Sequence, residues 1–137
     1  MTKWDLANYA KKYTAQRTSF VTLVEYIKKL DLPTLEVGDI TEDMVRIRLL
    51  GQTHVLAHSI NVSSKTSRDE ATGCITRYLL NSFDSRIAQK KFQISLDDYG
   101  NVFVPSEGHP ERLDHYRVSE PRDLEDLFGV LFDLAKD

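Results

Sequence analysis

The first 32 residues contain neither Gly nor Pro, and Leu6, Tyr9, Tyr13, Phe20, Leu23, Ile27 and Leu30 follow one another at helical steps of three, four and seven. That spacing lays one apolar stripe along a helix. The stripe thins at Gln16-Arg17-Thr18-Ser19, where helix propensity is modest and Ser19 suits an N-cap, so the segment reads as one long helix or two in series. Asp31-Leu32-Pro33 ends it, because the residue before a proline is pushed out of the α region.

Alternation of period two then takes over. Met44–Leu50 and Thr53–Val62 read as strands joined by Gly51-Gln52 in a type II′ turn. Counting outward from that turn sets Leu49 opposite His54, Ile47 opposite Leu56 and Val45 opposite His58 on a core face. Arg46, Arg48, Val55 and Ala57 fall on the other face. Leu35-Glu36-Val37 adds a short strand before them.

Ser67-Arg68-Asp69-Glu70 has the form of a capping box, and Ala71, Cys74, Ile75, Tyr78, Leu79, Phe83 and Ile87 keep helical spacing behind it. A helix over 67–88 is the expectation, with Gly73 and the β-prone run Cys74-Ile75-Thr76 favouring a strand as its competitor. Phe92–Leu96 and Val102–Pro105 flank the turn-rich Asp97-Asp98-Tyr99-Gly100-Asn101 as a second hairpin. Pro105–His115 reads as a surface loop before a short strand at Leu113–Val118. Ser119 as cap and Pro121 in the first turn open a final helix, whose stripe is Leu124, Leu127, Phe128, Leu131 and Leu134. The expected architecture is α+β: an antiparallel sheet of four to six strands flanked by an N-terminal, a middle and a C-terminal helix, in one domain spanning residues 1–137.

Charge narrows the choice of partner. The chain of 137 residues has a net charge of -3, which argues against a protein built to neutralise phosphates, so no nucleic acid is expected. The distribution is uneven: residues 1–30 carry six basic groups against two acidic ones, an excess of +4, and the remainder sums to -7. No stretch approaches 18 consecutive apolar residues and Met1–Lys12 has no signal-peptide apolar core, so no membrane role and a cytoplasmic location are expected. The single cysteine, Cys74, cannot form an intrachain disulfide and agrees with a reducing compartment.

Candidate chemistry is sparse. His54 and His58 have a metal-binding spacing for a helix, but on a strand four residues span about 13 Å, too far to share one ion. Glu107, His109, Glu111, Asp114 and His115 form the densest titratable set, on the expected loop where a ligand or acid-base site would sit. Asp97 and Asp98 precede Tyr99-Gly100-Asn101 as turn formers. No nucleophile elbow, P-loop, dinucleotide fingerprint or zinc-protease motif occurs. No catalytic, cofactor-binding or metal-ligating residue is therefore assigned, and no cofactor.

The order helix, strands, a helix closing on Tyr78-Leu79-Leu80-Asn81, the hairpin from Phe92 to Val104 and a last amphipathic helix resembles the type III secretion chaperone-like superfamily, with its sensory-transduction-regulator relatives. The likeness covers about half the chain. It implies a small, acidic, non-enzymatic domain that pairs into dimers and holds an extended stretch of a partner protein. The Pro105–His115 segment and the long basic N-terminal segment depart from it.

The functional expectation is a cytoplasmic protein-interaction module that does no chemistry, contacting its partner through Arg46, Arg48, Val55 and Ala57, with helix 1 and the helix over 67–88 beside them. One alternative is a small ligand-binding protein or enzyme using Glu107, His109, Glu111 and His115. Another is an immunity or antitoxin-type inhibitor whose acidic contact patch centres on Glu120 to Asp137. A homodimer is expected, since three amphipathic helices and a sheet offer more apolar stripe than one chain of this length readily covers.

Overall fold

The computed structural model describes residues 3–63 and 70–134. Its elements run α1 (Lys3–Lys28), β1 (Leu35–Val37), β2 (Met44–Leu49), β3 (Gln52–Ser63), β4 (Glu70–Leu80), β5 (Ala88–Leu96), β6 (Asn101–Ser106), β7 (His109–Arg117) and α2 (Pro121–Leu131). The strands pair in chain order as one antiparallel sheet. The α+β class holds, with seven strands and two helices among the described residues.

Alternation along the strands sends Val45, Ile47, Leu49, Leu56, Ile75, Ile94, Leu96 and Val102 to one face. Both helices close over that face, α1 with Phe20, Leu23, Val24 and Ile27, and α2 with Leu124, Leu127, Phe128 and Leu131. Burying each such side chain is worth about 1.5–3 kcal/mol against leaving it in water. The weak stretch in α1 does not break the helix. Gln16 and Ser19 turn inward, while the Thr14, Thr18 and Thr22 hydroxyls donate to the carbonyls of Ala10, Thr14 and Thr18 one turn back.

Four expectations need correction. The middle helix is a strand: residues 70–80 form β4, and a loop over 81–87 follows, in which Asn81 Oδ1 accepts from the Phe83 and Asp84 N–H groups. Apart from Glu70, the capping box lies outside the described residues. β4 is paired along both edges, and its neighbours bury Cys74 and Thr76 on one face as the helices bury Ile75 and Arg77 on the other, so residues on both faces imitate a helical spacing.

The first hairpin turns at Leu50-Gly51 instead of Gly51-Gln52. Leu50 (φ 53°) and Gly51 (φ 77°) both take left-handed conformations, as a type I′ turn requires, and its twist matches that of the strands. The register is Leu49 to Gln52, Ile47 to His54 and Val45 to Leu56. This is a slip of two positions, and the period of two leaves the assigned faces unchanged.

The expected surface loop over 105–115 is mostly strand. Only Glu107 and Gly108 turn the chain, with Ser106 paired to His109, and a register shift beside Pro105 hides the alternation. Finally, α2 is capped by Glu120, not Ser119, and without a side-chain cap bond. Asp123 instead accepts from the Arg117 N–H at 2.8 Å.

Two contacts anchor the helices to β4. Gln16 of α1 lies directly on Gly73, where a Cβ would stand 2.0 Å from Gln16 Oε1. Only glycine permits so close a crossing. At the other end of β4, Arg77 reaches the C-terminus of α2, donating through Nε to the Leu131 carbonyl at 2.5 Å and through Nη2 to Asp133 at 3.3 Å.

Candidate interaction surface

With both helices on one face, the opposite face of the sheet is left uncovered by any described element. Its composition follows from register. Arg46 lies opposite Val55, Val55 opposite Tyr78, and Tyr78 opposite Lys90, so one row crosses β2 to β5 as cation, apolar, aromatic, cation. Met44, Ala57, Thr76 and Gln93 make the neighbouring row. Arg48 stands beside Glu36 and Thr53 at the rim. Arg46, Arg48 and Lys90 are exposed, while Val55, Ala57 and Tyr78 are half-buried. Among the described residues none of these three cations forms an ion pair within 4 Å.

A cleft of about 540 Å³ opens at the edge of this surface, lined by Arg46, Thr53, Leu80 and the loop residues Asn81, Phe83 and Ser85. Phe83 stands 97% exposed above it. Cys74 and Thr76 are buried in the middle of the face, and Cys74 Sγ accepts from Asn61 Nδ2 at 3.6 Å. Sequence reasoning singled out Arg46, Arg48, Val55 and Ala57. It missed Tyr78 and Lys90, which only the pairing of β4 and β5 brings alongside.

The titratable set Glu107, His109, Glu111 and His115 does not converge. His109 and Glu111 approach each other at 3.6 Å, both well over half exposed. His115, six positions along β7 and roughly 15–20 Å away, stacks on Phe103 (centroids 5.2 Å apart) and meets Asn101 Oδ1 at 2.7 Å. Glu107 faces a different cleft with Asp114. Asp97 is a turn former as read: its carboxylate accepts from the Tyr99 and Asn101 N–H groups and from Asn101 Nδ2. Burial alone raises its pKa, but these bonds, with a smaller contribution from His115, hold it below the usual value.

His54 and His58 are buried beneath the helices in separate surroundings. His54 Nδ1 accepts from Arg77 Nη1 at 3.0 Å, so the ring is neutral, and burial followed by the Arg77 charge lowers its pKa to about 4. His58 stacks between Tyr13 and Phe20 and meets Gln16 Oε1 at 3.5 Å through Nε2. Its Nδ1 is buried without a partner, and burial lowers its pKa, with Asp43 opposing and Arg17 assisting. Gln16 also donates to Asp98 at 3.0 Å, Lys12 pairs with Asp98 at 2.9 Å, and Tyr13 and Arg17 bind Asp43. These groups tie α1 to the turns before β2 and after β5. No described cluster of three His, Cys, Asp or Glu side chains is placed to hold a metal.

Compared with protein-family models, curated proteins and solved structures, the chain matches none of them. The surface has therefore to be read from its own chemistry. No described helix is long and apolar enough to cross a membrane. A face of exposed guanidinium and ammonium groups around half-buried Val, Ala and Tyr can grip carboxylates and cover apolar side chains at once.

Proposed function

We propose that this protein is a non-enzymatic interaction module that holds an acidic, extended segment of a partner protein across the uncovered face of its sheet. The row Arg46, Val55, Tyr78, Lys90 carries the proposal. Adjacent strands lie about 4.8 Å apart, so the two cations stand about 14 Å apart. In an extended peptide, residues i and i+4 are about 13 Å apart on the same side. The matching ligand has carboxylates at i and i+4 and an apolar residue at i+2, over Val55 and Tyr78. The sheet edges are poorer sites: β1 has three residues, and β7 carries Pro110 and a register shift.

The test is fluorescence anisotropy with labelled ten-residue peptides carrying Glu-x-Leu-x-Glu or the inverted Lys-x-Leu-x-Lys. The acidic peptide should bind and weaken with added salt, and Arg46→Glu with Lys90→Glu should reverse the preference. Equal binding of both peptides, or an acidic preference that survives the double reversal, overturns the reading.

A further inference from the structure

The N-terminal part of α1 continues beyond the β1–β2 and β5–β6 turns, at the end where β3 and β4 run on as a pair to Ser63 and Glu70. From Lys12 to Arg17 the helix is tied to Asp98 and Asp43, at the sheet end where β1–β2 and β5–β6 turn. The helical residues before Lys12 add about 13 Å of helix, with Tyr9 buried among them. Among them Trp4 is 86% exposed and Leu6 60%, with Lys3 and Lys11 exposed beside them. The exposed Trp4 and Leu6, with Lys3, Lys11 and the one acid Asp5 around them, make an apolar tip of net charge +1.

The complementary surface lies at the opposite end, where β6–β7 turns. A cleft of about 650 Å³ separates α2 from the sheet, with Phe92, Val104, Tyr116 and Val130 at its floor. Glu107, Asp114 and Asp133 also line it, and no described lining residue is basic. Its acidity is felt by Tyr116, whose pKa is raised by burial and then by Asp114, Asp126 and Asp123. Gly129, in the last turn of α2, lines the cleft and has nothing within 4 Å of where its Cβ would be, leaving room for an incoming ring.

We propose that the Trp4 tip of α1 seats in the α2–β7 cleft of a second copy of this chain, two copies exchanging the contact about a two-fold axis. Charge selects the occupant: the tip is cationic, the cleft is lined by carboxylates, and both belong to one sequence. Because tip and cleft stand at opposite ends, α1 cannot reach its own cleft. Two molecules lying antiparallel satisfy both contacts and close the assembly. Lys3 and Lys11 then meet carboxylates of the second copy, while Lys12, Arg17 and Lys28 keep their ion pairs within their own chain.

Sedimentation and Trp4 emission of the whole chain, followed against concentration, test this. Trp4 is the sole tryptophan, so its emission should shift to shorter wavelength along the same curve that takes the mass to twice 15.7 kDa. Trp4→Ala should weaken the dimer about 10-fold or more, as loss of a central aromatic anchor does. Gly129→Leu should weaken it comparably by filling the cleft, while raising helix propensity so that the fold is retained. Lys3→Glu with Lys11→Glu in one chain, and Glu107→Lys with Asp114→Lys in another, should each be monomeric alone, and an equimolar mixture should recover the dimer, since both junctions are then complementary. A chain that stays monomeric at sub-millimolar concentration overturns the proposal. So does a dimer that leaves Trp4 emission unchanged, a mixture that fails to associate, or a ladder of larger species, which signals open head-to-tail growth. Burial of Trp4 by a different basic-binding protein, with the chain itself monomeric, overturns the second copy as occupant.

Discussion

Replacing Gly73 by Ala is the sharpest test of how α1 sits on the sheet. The added methyl would stand 2.0 Å from Gln16 Oε1, 2.5 Å from Gln16 Cδ and 2.8 Å from the Leu96 carbonyl oxygen. All are well inside the 3.3–3.6 Å at which carbon and oxygen ordinarily meet. A flexible surface side chain would swing away, but Gln16 is 1% exposed and bonded to both Asp98 and His58. Overpacking of this kind costs about 1–3 kcal/mol. Displacing Gln16 forfeits its bonds at about 0.5–1.5 kcal/mol each and leaves His58 with neither ring nitrogen partnered. Alanine recovers about 0.5–1 kcal/mol relative to glycine in a strand. The net expectation is a loss of about 2–3 kcal/mol, read from the urea midpoint. Gln16→Ala combined with Gly73→Ala removes the side-chain clash, so the double variant should lose at least about 1 kcal/mol less than the two single losses added. A single variant within 0.5 kcal/mol of the parent, or strict additivity, would mean that α1 does not cross β4 at this point.

Two further predictions follow from the hairpin turn and the buried imidazole. Leu50 holds a left-handed conformation while 68% exposed, so Leu50→Asn should stabilise by about 0.5–1 kcal/mol in a thermal melt; a loss of that size would return the turn to Gly51-Gln52. His54, held neutral with a pKa of about 4 against 6.5 unfolded, makes the unfolded chain bind more protons between those values. Stability is therefore full above pH 6.5 and falls as the pH drops toward 4, by up to about 3 kcal/mol. His54→Gln, which keeps an acceptor for Arg77, should lose less between pH 7 and pH 5 than the parent, and equal losses would contradict the assignment.

What the sequence shows depends on whether an element has one buried face or two. β2 and the first half of β3 bury one face only, so Val45, Ile47, Leu49, Leu56 and both histidines could be assigned to the core even though the turn was misplaced by one residue. β4 is central, with Ile75 and Arg77 under the helices and Cys74 and Thr76 buried on the other side, and a strand sheltered on both sides gives no period of two. Arg77 looks like the polar side of a helix, although it is the buried link between β4 and α2. The interaction row is legible only in part for the same reason: Arg46 and Val55 come from strands that could be recognised, while Tyr78 and Lys90 come from segments whose pairing no local pattern discloses. The cleft beside α2 joins residues from β5 to α2 and has no signature in any one of them.

The strand order, in which every strand pairs with its neighbours in the chain, bears on how the protein reaches this structure. No strand has to wait for a distant segment, so hairpins can close over short loops at little entropic cost and the sheet can grow one strand at a time. The slow step is left to the helices. α1 is made first but rests on Gly73 and the core face of β3 and β4, so its apolar stripe has no surface to cover until those strands have paired. An early chain therefore carries an amphipathic helix in search of a sheet, and destabilising β4 should retard folding more than an equal insult to β1 or β7.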